Sequence, residues 1–283
     1  MSKYIYQNSR GEIIDLCESP LWVASFNDLR SYAYEPIFDN DVFYGHERRQ
    51  NVEKSMAFQY YRSGRSAFNE FYENRVYRVL NYDVVAKQYG RLYYGDYFAA
   101  GYFPSAAVET YDPIRGLWTA QMPFFMPVEV WRRELPAIIL TGDQDDPSSV
   151  PAVPLANYSS NYPHGYVSGD LVKVFTNDSA FPSPFRLSIS GSCTNPAVTI
   201  GSHVYNVNVS VPSGSRLIID SAEKTITLYD SQNNAQNVFA YQNHDADKYV
   251  FEPIPVGDFT IRYQNIPEIT LTLYEERSAP KWN

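Results

Sequence analysis

From Phe185 to Tyr229 apolar residues fall at every second position. Phe185, Leu187 and Ile189 alternate with Arg186, Ser188 and Ser190. Tyr205, Val207, Val209 and Val211 alternate with Asn206, Asn208 and Ser210, and Ile226 and Leu228 with Thr225 and Thr227. A period of two sends one set of side chains to a buried sheet face and the other to water. Turn chemistry separates the runs: Asn195-Pro196, Gly201-Ser202, and Pro212-Ser213-Gly214, where glycine suits a positive φ. The stretch predicts short antiparallel strands, each half buried. Two such sheets stacked face to face cover both apolar faces.

The same pattern continues to the end of the chain. Asn237-Val238-Phe239, Lys248 to Phe251, Phe259 to Tyr263 and Ile269 to Tyr274 follow at roughly even spacing with turn signals between them, as in an all-β sandwich. The preceding segment, 141–168, has no period. Asp143 to Pro154 is rich in Asp, Pro and Ser, and Tyr158 to Gly169 in Tyr, Ser, Asn and Gly, which reads as an exposed excursion or long surface loop.

The first half is also strand-rich. Tyr4-Ile5-Tyr6 and Glu12 to Leu16 flank a loop ending in Gly11, a hairpin signature. Leu21 to Phe26, Tyr32 to Pro36 and Val42 to Tyr44 are extended, and in Lys54 to Tyr61 the residues Met56, Phe58 and Tyr60 share a face. A short helix is expected over Ser66 to Asn74, with Ser66 as N-cap and Phe68, Phe71 and Tyr72 as its apolar stripe. Strands are expected again over Arg75 to Leu80, Gln88 to Phe98, Val108 to Tyr111, Leu117 to Phe125 and up to Trp131. Gly90, Gly95 and Gly101 mark bends or bulges, and Asp112-Pro113 a turn.

At 283 residues and 44% hydrophobic content the chain can bury two cores of ordinary size. The 25 tyrosines suit half-exposed strands and interfaces, because the ring packs while the hydroxyl stays wet. A net charge of −9 argues against a tightly held nucleic acid, which needs clustered Lys and Arg. No apolar run is long enough to span a membrane, and Met1-Ser2-Lys3-Tyr4 lacks the apolar core of a secretory signal.

Chemistry-bearing constellations are sparse. Cys17 and Cys193 are far apart and read as free thiols, in keeping with a reducing compartment. His46, His164, His203 and His244 make no metal pair, and Asp143, Asp145 and Asp146 resemble a calcium loop without its glycine and distal glutamate. Arg62-Ser63-Gly64-Arg65 is a small basic turn. No nucleophile elbow, phosphate loop or dinucleotide fingerprint is present. No catalytic, cofactor-binding or metal residue is assigned, and no cofactor is expected.

One order of features is distinctive: a strand ending in Ile189-Ser190-Gly191, then Cys193-Thr194-Asn195-Pro196, Gly201, a long alternating strand, a Ser-Gly turn, Leu217 to Ser221, and Lys224-Thr225-Ile226. It resembles the carboxy-terminal galectin-like domain of the distal tail protein of long non-contractile-tailed bacteriophages. The likeness continues through Phe251 to Gly257, Phe259-Thr260-Ile261 and Ala279-Pro280-Lys281-Trp282. The first half, closing in Leu117-Trp118, Met122 to Pro127 and Trp131, is similar to that family's ring-forming belt domain. The short helix and the 141–168 segment depart from it.

The resemblance implies a mainly β protein: a belt domain over 1–138 with one short α-helix, then a galectin-like β-sandwich over 139–283 that includes the exposed 141–168 segment. It implies a non-enzymatic virion component at the distal end of the tail, assembled in the host cytoplasm. Six copies would form a ring between the tail tube protein and the tail hub protein, and DNA would pass through the ring without stable binding. Receptor-binding or side-fibre proteins attach to the outer domains in some relatives, and no membrane insertion is implied. The alternative reading is a carbohydrate-binding module for host adsorption, with His203, Asn206, Asn208 and Trp282 as sugar-site residue types.

Overall fold

The computed structural model describes residues 4–18, 21–25, 27–61, 70, 72–105, 107–112, 117–142, 174–243 and 248–280. The chain forms two compact units, Met1–Arg133 with Glu276–Asn283, and Glu134–Glu275. The expected domains, 1–138 and 139–283, differ from these units at both borders. The C-terminal residues group with the first unit because Glu276 sits between Arg132 (Nε to Oε1, 2.9 Å) and Arg48 of that unit.

In the first unit, Tyr4–Gln7 pairs with Ile13–Asp15 on one side and with Gly90–Tyr94 on the other. Gly90–Tyr94 then pairs with Tyr97–Gly101. A second sheet runs Ala107–Asp112, Leu117–Gln121, Ala57–Tyr61, Leu21–Ser25. The period-two expectation holds where it can be checked: Met56, Phe58 and Tyr60 are all buried. Met56 and Phe58 share one core with Tyr6, Leu92, Phe103, Phe124 and Trp131. Burying a side chain such as Phe58 stabilises by roughly 1.5–3 kcal/mol, and a ring cluster adds directional contacts: Phe103 lies 5.1 Å from both Tyr6 and Phe124.

The helix runs further than expected: the described residues within Ser66 to Asn74, Glu70 and Tyr72 to Asn74, are helical, and the helix continues to Ala86. Residues 62–69 and 71 are outside the described set, so most of the helix expected over Ser66 to Asn74 is too, as is the Arg62–Arg65 turn. The segment Arg75 to Leu80, expected to be a strand, is helical instead: a π-helical turn, Tyr72–Tyr77, leads into an α-helix, Arg78–Ala86. Val76, Val79, Leu80 and Asp83 stand at i, i+3, i+4 and i+7, and all four are buried. Packing of that stripe outweighs the strand preference of the valines. Lys87 ends the helix in the left-handed region, φ 53°.

Gly90 and Gly101 are not bulges. They face each other in unbroken register. A methyl on Gly90 would strike the Asp83 carboxylate, the Tyr6 hydroxyl and, at 2.6 Å, the Gln7 carbonyl. A methyl on Gly101 would strike the Phe125 carbonyl and, at 2.7 Å, the Phe124 ring. Gly95 does turn the chain, with φ 58°.

The second unit is a β-sandwich. One sheet runs Ile138–Thr141, Glu268–Arg277, Phe185–Ser190, Arg216–Asp220, Thr225–Tyr229, Ala235–Asn237. The other runs Val174–Asn177, Gly257–Tyr263, Ala197–Ile200, His203–Asn206. Phe185, Leu187, Ile189, Ile219, Ile226, Ile269 and Leu271 of the first sheet join Val198, Ile200, Tyr205, Phe259, Ile261 and Tyr263 of the second in one core. The long strand expected over 205–211 is two pieces: His203–Asn206 stays in the second sheet and Ser210–Val211 pairs with Cys193–Thr194. Tyr205, Val207 and Val211 are nevertheless all buried, as alternation requires. Lys248 to Phe251 is not a strand. The 141–168 excursion falls almost wholly on 143–173, outside the described residues.

Candidate functional site

Two kinds of feature stand out in the first unit: buried polar locks and uncovered apolar surface. The first lock joins the helix to the opening hairpin. The Asp83 carboxylate is fully buried and accepts from the Tyr6 hydroxyl, the Ser9 N–H (2.9 Å) and the Ser9 hydroxyl (2.5 Å). Burial, then the hydrogen bond to Asp83, hold the Tyr6 hydroxyl far above the usual phenol range. Asn8, also buried, donates to the Val79 carbonyl at 3.3 Å and accepts from the Glu12 N–H at 2.8 Å. The second lock is the buried ion pair Lys54–Glu129, in which the ammonium also donates to the Ser31 carbonyl at 3.0 Å. Both locks hold their elements in register, since breaking either strands a buried polar group.

The uncovered surface comprises a hairpin and a helix face. The hairpin pairs Tyr34–Asp39 with Val42–Arg48. Asn40 and Asp41 both have positive φ, 48° and 64°, the geometry of a tight two-residue hairpin turn. Every side chain from Glu35 to Asp41 is exposed, at odd and even positions alike, so both faces of that strand meet solvent. Phe38 is 60% and Phe43 51% exposed, with ring centroids 5.8 Å apart. The root is fixed: Arg48 pairs with Glu276, and the Tyr34 and Ser278 hydroxyls are 2.5 Å apart. A lone two-stranded hairpin is marginal in water, so this one calls for cover. Asn40-Asp41 between extended runs was the signal for it in the sequence. The helix face exposes Tyr77 and Val85, the latter 73%. With Asn74, Arg78, Asn81 and Tyr82 these line a shallow depression. Tyr89, half exposed, stacks on Tyr102 at 6.0 Å.

In the second unit two of the sugar-site residue types, His203 and Asn208, hydrogen-bond to backbone of one aromatic patch. His203 places Nε2 2.9 Å from the Tyr249 carbonyl. The Asn206 side chain is spent on the Asn195 and Pro196 carbonyls, at 3.3 and 3.1 Å. Asn208 is exposed, its N–H donating to the Tyr241 carbonyl at 2.9 Å, and Trp282 lies outside the described residues. Phe239, Tyr241 and Tyr249 do form a half-exposed aromatic patch, with Lys224 Nζ 5.4 Å from the Tyr249 ring. The Asp220 carboxylate is a turn lock, accepting from the Tyr274 hydroxyl (3.1 Å) and two backbone N–H groups (3.0 Å each).

Cys17 and Cys193 are both free thiols, and burial raises the Cys193 pKa. His164, His244, Asp143, Asp145 and Asp146 lie outside the described residues, and His46 belongs to the hairpin strand Val42–Arg48. Among the described residues no three His, Cys, Asp or Glu side chains gather as for a metal ion, and no helix is long and apolar enough to cross a membrane.

No protein-family model matches the chain, and no curated protein sequence is similar to it. Solved structures are. A chain of the phage P2 baseplate in its activated conformation with calcium matches with a TM-score of 0.64 and 12% identity, over 99% of this chain and 100% of that one. The SPP1 Dit protein, described as a paradigm of the hub adsorption apparatus in phages infecting Gram-positive bacteria, matches with a TM-score of 0.57 and 10% identity, over 98% and 99% of the two chains. The chain therefore has, end to end, the mainly β fold of phage distal tail proteins.

Proposed function

We propose that this chain is a structural component of a phage tail tip, a hexameric ring that joins the tail tube to the tail hub and leaves an axial channel for DNA. The observation that carries this reading is the correspondence of fold over 98–99% of the chain with a baseplate protein and a hub protein. Two features of the chain itself support it. Distinct uncovered surfaces, the hairpin and the helix face, are what head-to-tail assembly requires. A net charge of −9 lets DNA pass without condensing on the wall. In this reading stability and specificity reside in contacts between copies and no residue performs covalent chemistry. The second unit, galectin-like in this reading, faces outward toward adsorption proteins.

Electron microscopy of the native particle tests the proposal. Six copies in a ring at the distal end of the tail are expected. Particles that lack the protein yet join tube to tip and infect would overturn it, and a strongly basic lumen would overturn the account of DNA passage. A second reading, glycan binding by the second unit, is favoured by the Phe239, Tyr241 and Tyr249 patch. It predicts that Tyr249→Ala abolishes retention of the protein on host cell-wall polysaccharide, and retention unchanged by that substitution rules it out.

A further inference from the structure

We infer that the hairpin of one copy seats on the helix face of a second copy, as an acidic, apolar arm on a basic, apolar depression. The inference rests on the ring reading above for its setting, and on charge for its specificity. Between Tyr34 and Glu47 the hairpin carries four carboxylates, Glu35, Asp39, Asp41 and Glu47, and no Lys or Arg. Asp39 and Asp41 flank the tip, beside the exposed Ile37, Phe38 and Phe43. On the helix side the balance is reversed. Between Asn74 and Tyr89 the exposed charges are Arg75, Arg78 and Lys87 and Asp83 is buried, with Glu73 one residue before this stretch in the same helical turn. The apolar part is Tyr77, Tyr82 and Val85, which line the depression.

Within one copy neither surface satisfies the other. The hairpin is held at its root by Arg48–Glu276 and Tyr34–Ser278, while its tip and the helix face both remain uncovered. The nearby charges of opposite sign engage them only loosely: Glu12 stands 3.6 Å from Arg78, and Arg49 3.9 Å from Glu35. Two different, complementary surfaces on one chain make a heterologous contact, which propagates from copy to copy and closes when the rotation per copy divides a full turn. Phe38 and Phe43 would supply the aromatic anchor and the carboxylates its register.

Charge reversal in the full chain tests this, with self-association measured by sedimentation equilibrium. Asp39→Lys with Asp41→Lys, or Arg75→Glu with Arg78→Glu, should each weaken association by roughly three- to tenfold per reversed charge at low salt. A chain carrying all four changes should recover, and an equimolar mixture of the two doubly reversed chains should associate in alternation, because each hairpin then meets a helix face of opposite charge. Val85→Arg is a further disruption at a site too exposed to affect folding, and unchanged tryptophan fluorescence checks that each variant folds. Cysteines introduced at Phe38 and Val85 should cross-link copies. Association that ignores these reversals, failure of the fourfold change to restore it, or a wild-type chain that stays monomeric at millimolar concentration and does not cross-link would overturn the inference. Binding of the hairpin to a tube or hub protein in place of a second copy would also overturn it. The tail-tip reading is judged separately, by the position of the protein in the particle.

Discussion

The Tyr6–Asp83 pair allows a quantitative test of how the helix is held to the opening hairpin. Asp83→Ala removes the acceptor of a fully buried phenol, whose next acceptor, the Gly101 carbonyl, is 3.4 Å away. Ser9 is exposed and its two donors can turn to water, so most of the loss falls on Tyr6. A stranded buried hydroxyl and a lost hydrogen bond to a charged group together suggest about 2–4 kcal/mol for Asp83→Ala. Tyr6→Phe leaves the carboxylate with its Ser9 donors and should cost about 1.5–3 kcal/mol. In the double variant neither group is stranded, so the two losses should fall short of additivity by about 1.5–3 kcal/mol. The assay is urea denaturation followed by tryptophan fluorescence. Trp22, Trp118, Trp131 and Trp282 all belong to the first unit, so the signal reports that unit's unfolding. Additivity within about 0.5 kcal/mol would refute the reasoning, because residues that do not share an interaction behave that way.

Other expectations follow from the same packing. Gly90→Ala and Gly101→Ala should each destabilise the first unit by about 3 kcal/mol or more, since the added methyl meets side chains and backbone that cannot yield; a shift in the urea midpoint measures it. Lys54→Ala should cost about 3–5 kcal/mol by leaving Glu129 buried and unpaired, whereas Lys54→Met with Glu129→Leu should restore most of the loss; thermal unfolding of the two variants decides. Burial raises the pKa of Tyr4, Tyr6, Tyr205 and Tyr274 above that of an unfolded phenol. Their contribution to stability is therefore complete below about pH 10 and is lost as the pH rises beyond it. In a spectrophotometric titration these four of the 25 tyrosines should ionise only with alkaline unfolding. The Cys193 thiol, raised in pKa by burial, should react with iodoacetamide more slowly than an unhindered cysteine at pH 8.

Much of the fold was legible because alternation is a local property. Phe185, Leu187 and Ile189 announce a half-buried strand whatever they pack on, and all three lie in the sandwich core. The turns at Asn195-Pro196, Gly201-Ser202 and Pro212 to Gly214 were equally legible, and Gly214 has the positive φ, 76°, that its turn chemistry called for. Where two local signals competed, the reading failed. Val76, Val79 and Leu80 have strand-forming side chains at helical spacing, and the core beneath chose the helix. The functional surfaces were less visible still. Apolar residues in Tyr34–Asp39 look the same in sequence whether covered or bare, and the structure shows them bare.

The amino-acid order alone thus determined the mainly β character and the paired inward faces of the second unit, since each depends on residues a few positions apart. Tertiary structure decided what depends on residues far apart in the chain. Tyr6 meets Asp83 across 77 positions, and Arg48 meets Glu276 across 228. Gly90 must be glycine because that tyrosine, that aspartate and the Gln7 carbonyl already occupy the space above it. Such contacts form when the backbone closes long loops around a common core, and no local periodicity encodes which partners then meet.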